Sequence, residues 1–199
     1  LRGQSSRKRI LEQATQLVGK KGVRGTSLDD IRAAASVSKS QLYHYFANKD
    51  DLVLAIIEQQ TINTLETQQL LNAHLDSWES LERWRELLIT LQEACQCIGG
   101  CPVGTLANEL ADQGEAARLV LVSSFDQWEQ RLLEGFTRMQ ERGELRADAD
   151  PAELATAVLA GLEGGLLLSK TYKTTRPLEI ALHAAFAYAR SFAPTSEPS

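Results

Sequence analysis

The chain has 199 residues, 43% apolar and only 6% aromatic, with 21 Lys and Arg against 26 Asp and Glu for a net charge of −5. That length can bury a core in one or two soluble domains. No run reaches about 18 uncharged apolar residues and the first residues lead into charge, so the expectation is neither a membrane span nor an export signal. The three cysteines, all between Cys95 and Cys101, are an odd number that suits a reducing cytoplasm.

The charge is unevenly spread. Residues 1–50 carry ten basic and four acidic side chains, a net +6, which leaves −11 on the remaining 149. A basic module on an acidic body is the pattern of a protein that presents one end to a polyanion.

Apolar residues recur at helical spacing nearly everywhere and no stretch alternates strictly, so an all-α fold is expected. Ser5 or Ser6 can cap a first helix whose apolar positions are Ile10, Leu11, Ala14, Leu17 and Val18, ending at Gly19-Lys20-Lys21-Gly22. Thr26-Ser27-Leu28-Asp29-Asp30 opens a short second helix, with a hydroxyl cap followed by carboxylates in the first turn. A second hydroxyl cluster at Ser36-Val37-Ser38 opens a third helix through Phe46. Two short helices joined by a tight turn behind a longer one form the outline of a helix-turn-helix unit. Asn48, followed by Asp50 and Asp51, caps a long helix to about Leu71. Further helices are expected over about 81–98, 104–112, 115–141, 151–172 and 177–192. The reading divides the chain into residues 1–50, 51–193 and a frayed tail at 194–199.

In the third helix Leu42, Tyr45 and Phe46 fall at i, i+3 and i+4 and should pack inward, leaving Lys39, Ser40, Tyr43 and His44 outward with Gln41 beside them. A cation, hydroxyls, an amide and aromatics suit a phosphate-lined groove, since they donate to phosphates or read base edges. An ordinary solvated helix would carry mainly Glu and Lys there.

Ile10-Leu11 to Gly22, Thr26 to Ile31, Val37 to Phe46 and Asn48-Lys49-Asp50-Asp51-Leu52 together resemble the DNA-binding domain of TetR-family transcriptional regulators, over essentially all of residues 6–55. The resemblance implies base contacts from Lys39, Ser40 and Gln41, with His44 joining them, and phosphate contacts from Thr26, Ser38, Tyr43, Tyr45 and Lys49. Arg7 and Lys8 would add attraction independent of sequence. It further implies a homodimer on a near-palindromic double-stranded DNA operator, and a cytoplasmic, ligand-responsive repressor with no cofactor and no enzymatic activity.

In the acidic body, small residues Ala157, Gly161, Gly164 and Gly165 line one side of one helix, and Ala181 and Ala185 offer a similar strip on the last. They suit a dimer interface, intramolecular packing being the competing reading. Trp84, Leu88 and Leu91, with Leu121, Phe125, Trp128 and Leu132, supply apolar walls for a mostly apolar small-molecule effector, with Cys101 nearby. Taken singly, each of them reads as plain core before ligand wall.

On a continuous helix Cys95 and Cys97 would lie about 200° apart, and His44, His74 and His183 lack ligand spacing with them, so no metal site is expected. Residues 99–110, Gly-Gly-Cys-Pro-Val-Gly-Thr-Leu-Ala-Asn-Glu-Leu, are similar to a Gly-Cys-x-x-x-x-Leu-x-x-Glu segment in a branch of the TetR family that includes LmrA-, YxaF- and NemR-like regulators. Cys101 precedes a helix N-terminus, which would favour its thiolate. The alternative function is therefore an electrophile- or redox-sensing repressor acting through Cys101, helped by Lys170; against it, a free cysteine is commonly a small buried apolar residue. A further alternative of another class is an all-α protein-interaction adaptor.

Overall fold

The structure is a computed structural model that describes residues 2–71 and 74–194. Among these residues all regular structure is helical: α1 (Arg2–Lys21), α2 (Leu28–Ala35), α3 (Lys39–Tyr45), α4 (Lys49–Leu71), α5 (Trp78–Ala94), α6 (Pro102–Leu110), α7 (Glu115–Glu141), α8 (Pro151–Tyr172) and α9 (Arg176–Arg190). The expected all-α fold is the observed one.

Helix starts follow local capping chemistry. Ser27 caps α2 and Ser38 caps α3, each in a reciprocal box with the residue three positions on, Asp30 and Gln41. The Asn48 carboxamide oxygen accepts from the Asp51 N–H at 2.8 Å, while the Asp51 carboxylate accepts from the Ala47 N–H at 3.2 Å. The expected cap at Ser5 or Ser6 is not used, because α1 already starts at Arg2 and runs through both positions. Helix α5 starts at Trp78, earlier than expected, because Ser77 and Ser80 form a box. It also ends early, since Gln96 and Cys97 take left-handed φ of 54° and 52°. Cys95 and Cys97 thus lie beyond the helix, and the angular argument made for them does not apply. Of the expected tail at 194–199, residues 195–199 lie outside the described residues.

The chain divides into two units, Leu1–Thr64 with Pro102–Ser124, and Leu65–Cys101 with Phe125–Ser199. In the first, the core is built from Ile10, Ala14, Ile31, Leu42, Phe46 and Ile56, all buried. The Thr61 hydroxyl donates to Ser124 Oγ at 2.7 Å beneath it. In the second, Trp84, Leu132, Phe136, Leu154, Leu162 and Leu182 are at most 1% exposed. Here α8 packs on α9, and glycine sets the approach. A Cβ at Gly165 would fall 2.8 Å from Leu178 Cα, and one at Gly161 would fall 3.3 Å from the Ala181 carbonyl oxygen. Gly161, Gly165, Ala181 and Ala185 therefore meet inside the chain.

Helix α8 is more apolar than the sequence reading allowed. An 18-residue window in it has mean hydropathy 1.4, long and apolar enough by composition alone to cross a membrane, and 44% of that window is buried within the chain. Among the large apolar residues left exposed are Leu167 and Leu168 on α8 and Ile180 and Tyr188 on α9.

Candidate nucleic-acid interface

The seven residues of α3 follow α2 across a turn in which Ser36 takes φ 51° and gives its N–H to the Ala33 and Arg32 carbonyls. Leu42 and Phe46 point inward, 1% and 4% exposed, and Tyr45 is half-buried. Lys39, Ser40, Gln41, Tyr43 and His44 face outward. Their geometry is partly arranged already. The Lys39 ammonium lies 5.9 Å from the centre of the Tyr43 ring, His44 meets Tyr45 edge-on at 4.9 Å, and the Ser38 and Ser40 hydroxyls are 3.0 Å apart. The Gln41 carboxamide oxygen accepts from the Ser38 N–H at 2.9 Å, which leaves its NH2 end outward to donate.

Two of the expected phosphate ligands have other partners. Thr26 is 1% exposed and its hydroxyl donates to the Gly22 carbonyl at 2.8 Å, so it locks the turn before α2 and presents no hydroxyl to a ligand. Lys49 donates to the Val23 carbonyl at 2.8 Å, tying the start of α4 to that turn. The Arg7 guanidinium lies 5.4 Å over the Phe46 ring, and Lys8 pairs with Glu12 at 3.8 Å.

A residue whose role the sequence reading missed completes this turn. Glu109 on α6 accepts from the backbone N–H groups of Val23 and Arg24 at 2.9 and 2.8 Å, and its carboxylate occupies the space beside Gly22, where a Cβ would come within 3.1 Å. The motif around Leu106 and Glu109 was visible, but a partner 85 residues upstream leaves no local signature.

In the second unit Cys101 is 7% exposed and its thiol donates to the Glu163 carboxylate. Burial pushes Glu163 above the usual glutamate range, with the Cys101 hydrogen bond acting the other way, and its Oε1 is buried without a partner. The Gly99 and Gly100 turn before Cys101 uses left-handed φ of 96° and 70°, and the Lys170 stem lies against Gly100, within 3.3 Å of where a Cβ would stand. Of the expected effector walls, Trp84, Leu88, Leu121, Trp128 and Leu132 are buried, Phe125 is half-buried and Leu91 is 40% exposed.

A capped pair of short helices that turns a cationic, hydroxylic and aromatic face outward defines a helix-turn-helix DNA-binding protein. Comparison with known proteins agrees. Residues 10–56 match the model of the bacterial regulatory proteins of the tetR family, and residues 77–185 match the tetracyclin repressor-like C-terminal domain. The transcriptional regulator AcuR of Cereibacter sphaeroides is 36% identical over 85% of this chain and 78% of its own. The transcriptional repressor NemR of Escherichia coli is 28% identical over 89% and 90%. The crystal structure of a TetR transcriptional regulator from Chloroflexus aurantiacus superposes with TM-score 0.82 at 28% identity, covering 94% of this chain and 95% of that one. The chain belongs to the TetR family: it is a DNA-binding transcriptional regulator and not an enzyme.

Proposed function

We propose that this protein is a homodimeric repressor that leaves its operator when a small molecule binds the second unit. The observation that carries the reading is the outward face of α3, with Lys39, Ser40, Gln41 and His44 placed to read bases and Ser38, Tyr43, Tyr45 and Lys49 to hold phosphates. Lys49 would act with the ammonium protons that Val23 leaves free. Thr26 drops out of this set because its hydroxyl is already donated. A regulator of this kind works in the cytoplasm on a near-palindromic DNA site, its two-fold axis matching that of the dimer.

The exposed apolar residues of α8 and α9 support the dimer. Gly164, with open space beyond its Cα, stands in one stripe with Leu167 and Leu168, and Ile180 and Tyr188 are exposed on α9. The effector reading rests on the apolar walls already described, among them Trp84, Trp128 and Leu132, and release requires only that the ligand prefer the unbound form of the protein. A second reading, electrophile sensing through Cys101, is supported by the similarity to NemR, although the thiol is buried and donates to Glu163. Unchanged release by electrophiles in a Cys101→Ala variant would remove that reading.

Fluorescence anisotropy on DNA upstream of the protein's own gene, with salt varied and scrambled DNA as control, tests the operator reading. Tight, sequence-confined binding is expected, and Lys49→Ala should weaken it and reduce the log–log salt slope by about one. Binding to a protein partner that is indifferent to Lys39, Gln41 and Tyr43 would instead favour an adaptor.

A further inference from the structure

The basic residues at the start of α1 are not equally placed. Lys8 pairs with Glu12, whereas Arg9 gives its Nε–H to the Ala35 carbonyl at 2.9 Å, across 26 residues of chain. Ala35 ends α2, so this bond seats the guanidinium at the turn between the two short helices. Arg7 has its guanidinium over the ring of Phe46, the residue that closes α3. Helix α1 thus sets one arginine before α3 begins and another where it ends.

Arg9 has more donors than the fold uses. A guanidinium carries five N–H groups in one rigid plane, and the Ala35 carbonyl accepts from a single one. The residue is exposed, and among the described residues it has no second hydrogen bond and no carboxylate to pair with. Because the group is flat, fixing Nε on a carbonyl also restrains the direction in which the remaining donors point.

Ser38, proposed above to hold a phosphate, follows Ala35 by three residues, which keeps the two Cα atoms within about 11 Å. A major groove is roughly 12 Å wide. The end of α2 therefore stays close to the wall of the groove that α3 enters, and Arg9 with it. We propose that Arg9 is a phosphate ligand of the DNA interface, its outward N–H groups taking a backbone phosphate in the paired manner that a guanidinium favours. One side chain then ties the turn between α2 and α3 both to α1 and to the DNA. Such a contact positions the protein and carries no sequence information. The inference rests on the DNA-contact reading of α3 and adds a residue which that reading does not include. Were Arg9 only a cap for the α2 carbonyl, a neutral donor would serve as well.

That difference supplies the test, because Arg9→Gln keeps an N–H donor for Ala35 and removes the charge. Anisotropy of the full-length protein on a random-sequence duplex, with salt varied, should show the log–log slope reduced by about one and binding weakened severalfold at the lowest salt. Lys20→Gln removes the same charge from the same helix, about 16 Å further along its axis, and should leave the slope close to that of the parent. An unchanged slope in folded Arg9→Gln, or an equal loss in Lys20→Gln, would overturn the proposal. If circular dichroism shows Arg9→Gln unfolded, the parent protein decides. Phenylglyoxal labelling read by mass spectrometry should be slowed severalfold at Arg9 by the duplex and not at Arg83, exposed on α5; labelling of Arg9 that DNA leaves unchanged overturns the proposal. Random DNA also separates two failures. A parent that binds it as tightly as the upstream sequence loses the operator reading while Arg9 keeps its phosphate, and a folded Arg9→Gln with the parent slope on both DNAs does the reverse. No salt-dependent binding of the parent to either DNA overturns both.

Discussion

Ser38 shows how much one side chain carries in a helix of seven residues. Its hydroxyl accepts from the Gln41 N–H at 3.2 Å, and its own N–H is held by the Gln41 side chain, so the cap also orients a residue proposed to read bases. Ser38→Ala should lower stability by about 1 kcal/mol in urea titration, because the Gln41 N–H loses its cap, and weaken operator binding by more than that loss of stability predicts, because the hydroxyl proposed to hold a phosphate goes with it. Glu163 carries a different kind of consequence. Burial holds its pKa above the ordinary range, so its contribution is fully favourable only below the pKa of the unfolded chain and is lost as pH rises through the folded value. Glu163→Gln keeps an acceptor for Cys101 and removes the charge. It should raise the urea midpoint relative to the parent at about pH 8 and make little difference at about pH 4, where the unfolded carboxyl is also mostly protonated. A variant that gains nothing at the higher pH would show that burial does not raise the Glu163 pKa.

At the scale of elements, α6 is the piece whose purpose changes most between sequence and structure. Read along the chain it is a short amphipathic helix after a cysteine turn. In the fold its Glu109 grips the turn between α1 and α2 by two charge-assisted hydrogen bonds, and Lys49 at the start of α4 grips the same turn from its carbonyl side. A displacement of α6 therefore acts directly on the segment that positions the reading helices. Glu109→Ala should speed amide hydrogen exchange at Val23 and Arg24 by about tenfold or more, as expected for losing bonds of about 1.5–3 kcal/mol, while the interior of α8 keeps its protection. Unchanged exchange at those two amides would mean that the carboxylate does not restrain the turn.

For the whole molecule, charge and apolarity are segregated in a way that suits its work. The first 50 residues carry +6 and the remainder −11, which directs the basic end toward DNA and keeps the body from sticking along it. The exposed apolar residues of α8 and α9 are where the proposed dimer contact would fall. Ile180, 52% exposed, is the natural place to test this, and Ile180→Asp should shift sedimentation toward the monomer and cut operator affinity with it. A variant that sediments as the parent does would remove this face from the proposed dimer.

The sequence by itself determined what depends on neighbours along the chain. Helical periodicity, the caps at Ser27, Ser38 and Asn48, and the outward set on α3 all follow from spacing of a few residues, since capping and amphipathicity are local chemistry. The same locality explains the misses. Ser5 and Ser6 offered a cap that α1 passes through, and Ser77 was overlooked because its partner Ser80 lacks the acidic side chain that usually marks such a box. Only the tertiary structure decided which groups meet across distance. It put Gly161 and Gly165 against α9, gave the Thr26 hydroxyl to the Gly22 carbonyl, and set the Glu109 carboxylate on the Val23 amide. Hydrogen-bond satisfaction in a buried place depends on which atoms packing brings within about 3 Å, and no periodicity in the sequence encodes that.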